Sequence, residues 1–258
     1  MHNPLPDTLK QLIQSAQWQF VGEGESDATV YRLIDTETRY LKISSHSAQY
    51  TVKADYERLK WLSGKLPVPE IIHYTEDDIY QFLLLSECPG LHPLHDDLPW
   101  TVQTRMDVLV QSAKLFHTLS TENCPYHMSF DEQIALAEKN IDQGLVDVDD
   151  WDEENQGRTI EDLFAEFIAL KPEKEDFVLT HGDLYPVNIR VDAESQQITG
   201  FIDVGAMAIA DRYTDLAPLI NAIGWHHEKQ WVDTFFEQYG IQPDRDKLRF
   251  YQLFQKFL

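Results

Sequence analysis

The chain has 258 residues, 43% of them hydrophobic, 25% charged and 12% aromatic, which supplies one large or two modest cores and excludes a disordered or fibrous polymer. A formal charge of -23 repels nucleic-acid phosphates and anionic lipid head groups, and no basic patch offsets it, so neither nucleic acid nor membrane is expected and the field favours a cationic small molecule. No run approaches the roughly 18 apolar residues of a membrane span, and residues 1–7 lack a basic-then-apolar leader, so the expected location is cytoplasmic.

In chain order, Asp7 is placed to cap a first helix with Leu9, Leu12, Ile13 and Ala16 on one face. Strand-like runs follow at 17–22, 29–35 and 39–44, with a glycine-bearing turn between the first two. Residues 47–62 read as a helix ended by Gly64, and Pro67 and Pro69 bar its continuation. Runs at 70–74 and 79–86 complete an antiparallel sheet of five. Cys88-Pro89-Gly90 then breaks the pattern and sets a boundary between a strand-rich lobe, 1–87, and a mainly helical lobe, 88–258.

In the second lobe Met106, Leu109, Val110, Ala113 and Phe116 trace the stripe of a long amphipathic helix. Ser129 and Glu132 have capping-box spacing before another helix, and Thr159 caps a third with Ile160, Leu163, Phe164 and Phe167 inward. Between them lies an acid-dense loop, DVDDWDEE, at 147–154, which by itself reads as a solvated segment. Runs at 177–180 and 197–203 flank a short extended segment at 188–191, and three helical stretches continue to Leu258. The fold class is therefore α+β. Cys88 and Cys124 form no CxxC pair and have no zinc-ligand neighbours, so both read as reduced, structural thiols.

The densest chemical constellation is His181-Gly182-Asp183-Leu184 through Asn188, then Gly200-Phe201-Ile202-Asp203. Phosphoryl transfer needs magnesium ligands, a cation on the nucleotide phosphates and a carboxylate that orients the attacking hydroxyl. Asp183 is suited to the base, and Asn188 and Asp203 offer hard oxygen ligands for Mg2+. The candidate cation is Lys42, on a strand where it points opposite to Leu41 and Ile43. Either Asp55 or Glu57 on the next helix is available to orient it. The turn from Gly22 to Asp27 stands where a glycine-rich loop covers phosphates, although its two glutamates leave that role to backbone N–H groups and the Ser26 hydroxyl.

With those residues in place, the sequence resembles the aminoglycoside 3'-phosphotransferases, antibiotic-resistance kinases with the bilobal protein-kinase-like fold. The likeness runs from the first helix to the C-terminus and is carried by GKLPVP at 64–69, LSE at 85–87, CPY at 124–126, HGDL from His181, GFID from Gly200 and ADRYTDLA from Ala210. It implies transfer of the γ-phosphoryl group of ATP or GTP to a hydroxyl of an aminoglycoside or related amino sugar. It also implies Lys42 on the nucleotide phosphates with Asp55 beside it, Ser26 on the β-phosphate, Tyr40 stacked on the purine, and hinge bonds from Ser86 C=O and Cys88 N–H. Asp183 becomes the base and Asn188 and Asp203 hold Mg2+. The acid loop gains a role in holding substrate ammonium groups through Asp149, Asp152 and Glu153, together with the terminal Leu258.

The sequence departs from the family pattern in several places. Asp55 replaces a usual Glu, a shortening that can displace a phosphate contact by about 1 Å. Val204-Gly205-Ala206 follows Asp203 where the family often ends this stretch with arginine. Pro186, Lys256, Trp225 and His226 stand at positions that are acidic in drug-modifying members. These changes motivate two alternatives: a kinase of another small amine or alcohol, and a catalytically impaired nucleotide-binding protein.

Overall fold

Alternation of apolar and polar residues along the first third of the chain produces one antiparallel sheet, as expected from the sequence. The computed structural model describes residues 5–23, 28–149, 151–152, 154–228 and 230–258. Strands β1 (Gln17–Glu23), β2 (Thr29–Ile34), β3 (Thr38–Ser45), β4 (Ile71–Glu76) and β5 (Tyr80–Ser86) lie in the order β1-β2-β3-β5-β4. Leu41 and Ile43 of β3 and Phe82 and Leu84 of β5 share a core with Leu9 and Ile13 of helix α1 (Asp7–Ile13). Each such side chain gains about 1.5–3 kcal/mol on leaving water. Helix α2 (Val52–Leu62) packs on β3, β4 and β5, burying Val52, Leu59 and Leu62.

Two details of these helices differ from the sequence reading. Asp7 does not cap α1; Pro6 holds that position without a side-chain bond, and Asp7 instead pairs with Lys10 at 2.8 Å. Helix α2 begins at Val52 rather than 47, because the sheet itself caps it. Ser44 Oγ accepts from Val52 N–H at 3.0 Å and Gln81 Oε1 accepts from Lys53 N–H at 3.1 Å, satisfying donors that a helix start leaves unpaired. Gly64, with φ 73°, follows the end of α2 in the left-handed region that favours glycine.

Beyond β5 the described chain forms α3 (Val102–His117), α4 (Phe130–Asp142), α5 (Ile160–Ala169), β6 (Phe177–Thr180), β7 (Ile189–Val191), β8 (Ile198–Phe201), β9 (Ala208–Asp211), α6 (Tyr213–His226), α7 (Gln230–Tyr239) and α8 (Arg245–Phe254). The capping box at Ser129 and Glu132 and the Thr159 cap both form as read. Strand β9 was not foreseen; it pairs antiparallel with β6 over Phe177–Thr180 and Ala208–Asp211.

By contacts the chain gathers into two compact units, Met1–Leu91 with Asn188–Ala206, and His92–Val187 with Met207–Leu258. The β7–β8 hairpin thus groups with the first unit, whereas the sequence reading set a single boundary after 87. Phe201 N–H donates to Pro67 C=O at 2.9 Å and Leu91 N–H to Val191 C=O at 3.1 Å. Gly90, at φ 117°, presses against the Val191 carbonyl, and a Cβ at Gly200 would overlap Cys88 Sγ. In the second unit Phe167 stacks on Phe250 at 4.4 Å and meets Phe257 at 5.5 Å. The buried Asn140 amide donates to Phe257 C=O at 2.7 Å and so fixes the turn that ends the chain. No helix among the described residues is long and apolar enough to cross a membrane.

Candidate active site

The first unit carries an ion cluster built by two periodicities. Lys42 and Ser44 alternate by two on β3 and so share a face, while Val52 and Asp55 lie three apart on α2 and share another. The bond from Val52 N–H to Ser44 Oγ docks these faces, which brings Asp55 Oδ2 to 2.5 Å from Lys42 Nζ. Asp203 Oδ1 is the second carboxylate on the same ammonium. Burial alone would lower the Lys42 pKa, but the charges of Asp203 and Asp55 outweigh it and hold the ammonium above the usual lysine value.

Asp55, and not Glu57, faces the lysine; the Glu57 carboxylate lies 3.9 Å from Arg58. The shorter Asp55 side chain still reaches the lysine, and α2 approaches the turn after Asp203 closely. An added Cβ at Gly205 would lie 3.0 Å from Asp55 Oδ1, nearer than a side chain normally tolerates. Asp203 itself has φ 57°, an uncommon backbone region for a non-glycine residue and one enriched at functional positions.

Asn188 and Asp203 are brought together by register. Ile189 pairs with Phe201, and Ile202 N–H donates to Asn188 C=O at 3.0 Å, so both residues sit at one end of the β7–β8 hairpin. At the other side of the sheet Ser86 N–H donates to Glu70 C=O at 3.0 Å and Glu87 N–H to Thr38 C=O at 3.2 Å. Tyr40 is half-buried on the Lys42 face of β3. Burial pushes the Cys88 thiol up to about 11, so it stays protonated, as befits a structural thiol; both cysteines are free. Ser26 lies outside the described residues.

In the second unit Asp183 sits on a turn held from beneath by Asp215, which is fully buried. His181 N–H donates to Asp215 Oδ2 at 2.8 Å and Gly182 N–H to Oδ1 at 2.9 Å. His117 Nε2 lies 3.1 Å from the same carboxylate, and its Nδ1 meets Tyr239 OH at 2.6 Å. Arg212 donates to Tyr239 OH at 3.0 Å and grips Asp176 through Nε and Nη2. Asp183 N–H in turn donates to His181 Nδ1 at 3.2 Å. Sequence reasoning assigned no role to His117, Asp215 or Tyr239. The signal lay in His117, a polar residue directly after the apolar stripe of α3, and in Asp215, the one acidic residue of α6.

The acid loop is tied to its own unit. Trp151 is buried, Asp152 Oδ1 accepts from Asn155 N–H and Nδ2 at 3.1 and 2.7 Å, and Asp152 Oδ2 faces Lys256 Nζ at 3.3 Å. Arg249 spans Glu154, Glu166 and Asn155. The Arg249 and Arg158 bonds to Glu166 outweigh partial burial and hold its carboxyl below the ordinary glutamate value. Asp149 and Leu258 are exposed, and Glu153 lies outside the described residues.

The profile of the phosphotransferase enzyme family matches residues 17–251. The chain belongs to that family. It is 33% identical to an aminoglycoside 3'-phosphotransferase of Streptomyces fradiae, over 97% of this chain and 98% of that one. Against the Enterococcus faecalis aminoglycoside 3'-phosphotransferase the figure is 32%, over 95% of each. Among solved structures, aminoglycoside-3'-phosphotransferase of type VIII superposes with a TM-score of 0.84 at 31% identity, covering 98% of both chains. A Streptomyces rimosus aminoglycoside phosphotransferase in complex with ADP and streptomycin gives 0.83 at 26% identity, over 96% of this chain and 95% of that one. The five-stranded sheet and the mainly helical second unit of this phosphotransferase are those of the kinase-like fold of its relatives.

Proposed function

We propose that this phosphotransferase moves the γ-phosphoryl group of ATP or GTP onto a hydroxyl of an aminoglycoside or related amino sugar, and that it works in the cytoplasm. The observation that carries the reading is the Lys42 ammonium held between Asp55 and Asp203, in a chain whose relatives are aminoglycoside kinases along nearly their whole length. Lys42 holds the nucleotide phosphates, Tyr40 stacks on the purine, and Ser86 C=O and Cys88 N–H bond its edge. Ser26 covers the β-phosphate.

Asn188 and Asp203 supply two oxygen ligands, which fits Mg2+, an ion that keeps several waters and takes further ligands from substrate phosphates. When bound, Mg2+ neutralises charge on the phosphates. Asp183 orients the acceptor hydroxyl and takes its proton as the oxygen–phosphorus bond forms and the nucleoside diphosphate leaves. Asp149, Asp152, Glu153 and Leu258 belong to the acceptor side of this reading.

Purified protein with Mg2+ and either nucleotide is expected to phosphorylate at least one member of an amino-sugar panel, read by nucleoside diphosphate release and product mass. Absence of turnover across the panel excludes this acceptor class. On the nucleotide side, Asp55→Ala is expected to raise the nucleotide KM about tenfold, the equivalent of about 1.4 kcal/mol, because Lys42 loses the partner that aims it. An unchanged KM in steady-state kinetics would mean that Asp203 alone positions the lysine.

A further inference from the structure

The acceptor side of the second unit contains its own ammonium. Lys256 Nζ lies 3.3 Å from Asp152 Oδ2, with only 12% of the lysine side chain and 32% of the aspartate exposed. The pair is therefore shielded from the solvent screening that weakens surface ion pairs. Asp152 has little acceptor capacity left, since its other oxygen takes both the backbone and the side-chain N–H of Asn155. The next described carboxylate of the loop, Glu154, faces Arg249 at 3.8 Å. The Asn140 side-chain amide anchors the backbone next to Lys256 by donating to Phe257 C=O.

The same unit also carries a linked set of aromatic and amide side chains. Gln255 Oε1 accepts from Asn221 Nδ2 at 2.8 Å and Tyr185 OH at 3.3 Å, and Gln252 Nε2 donates to Asn221 Oδ1 at 2.6 Å. Tyr185 lies two residues from Asp183, and its ring runs parallel to the exposed Trp225 with centroids 6.4 Å apart. Aromatic faces and primary amides bind the apolar faces and hydroxyls of a sugar, and they offer no countercharge to an amine.

We propose that Lys256 is a specificity-determining residue that fills with its own ammonium the place a substrate ammonium would take at Asp152. The acceptor class is then a hydroxyl-rich amino sugar of low cationic charge, and polycationic aminoglycosides are disfavoured by the like charge. This inference rests on the amino-sugar reading given above.

The test compares wild type with Lys256→Ala, Lys256→Glu and Lys256→Arg on kanamycin, a polycation, and glucosamine, a single cation. Turnover is measured with ATP and Mg2+, and acceptor binding by calorimetry with a non-hydrolysable nucleotide. The ratio of kcat/KM for kanamycin over glucosamine is expected to rise about tenfold in Lys256→Ala, further in Lys256→Glu, and to stay at the wild-type value in Lys256→Arg. A ratio that is the same in all four proteins overturns the proposal, as does an equal loss on both acceptors, which would mark Lys256 as a loop anchor alone. If wild type turns over neither sugar, the amino-sugar reading is judged on the full panel and calorimetry decides the charge effect: kanamycin binding no tighter in Lys256→Glu overturns it.

Discussion

Asp183→Ala is expected to lower kcat by about 10²- to 10⁴-fold, the range of a positioned general base, while nucleotide binding and the melting temperature stay close to wild type. Backbone bonds on both sides of Asp183 hold this turn. Asp183 N–H donates to His181 Nδ1 at 3.2 Å and Asp183 C=O accepts from Tyr185 N–H at 2.9 Å. Truncation leaves both bonds in place and removes the carboxylate proposed to orient the hydroxyl. Steady-state kinetics on an accepted substrate, with a parallel thermal melt, separates the two effects. A variant that kept most of its turnover would exclude Asp183 as the base.

The second large effect falls on stability. Asp215→Ala is expected to reduce the free energy of unfolding by about 3–5 kcal/mol, the usual result of deleting one partner of a buried charged network. The His181 and Gly182 N–H groups would lose their acceptor, and His117 would lose the carboxylate 3.1 Å away. Because the same N–H groups shape the turn before Asp183, activity should fall well below what partial unfolding explains. Urea denaturation with assays at low denaturant checks both parts. A loss under about 1 kcal/mol would mean that water or a neighbouring group replaces the carboxylate.

Local chemistry made much of the fold legible. Alternation at Leu41, Lys42 and Ile43 set the faces of β3, the Ser129 and Glu132 pair marked a helix start, and Gly64 marked a helix end. The start of α2 was missed because its capping groups, Ser44 and Gln81, come from strands that are distant in sequence. Strand β9 was missed for a similar reason: Ala208–Asp211 is short and nearly all apolar, with no alternation to distinguish it from a helix start. Among the candidate residues, the intervals between Asp183, Asn188 and Asp203 could be read along the chain. The choice of Asp55 over Glu57 depended on how α2 docks on β3 through the Val52 bond to Ser44. The pairing of Lys256 with Asp152, 104 positions away by subtraction of their numbers, depended on tertiary packing of the second unit.

The first unit is assembled from two stretches, and the second of them ends at Ala206. A ribosome must therefore deliver about four-fifths of the chain before the hairpin bearing Asn188 and Asp203 can dock on the strands made earliest. Domains usually mature one after another as they emerge during translation. Here the nascent sheet waits with Pro67 C=O and the Leu91 edge uncovered, while most of the other unit is synthesised. A fragment ending at residue 91 therefore lacks part of the first unit and leaves these edges uncovered.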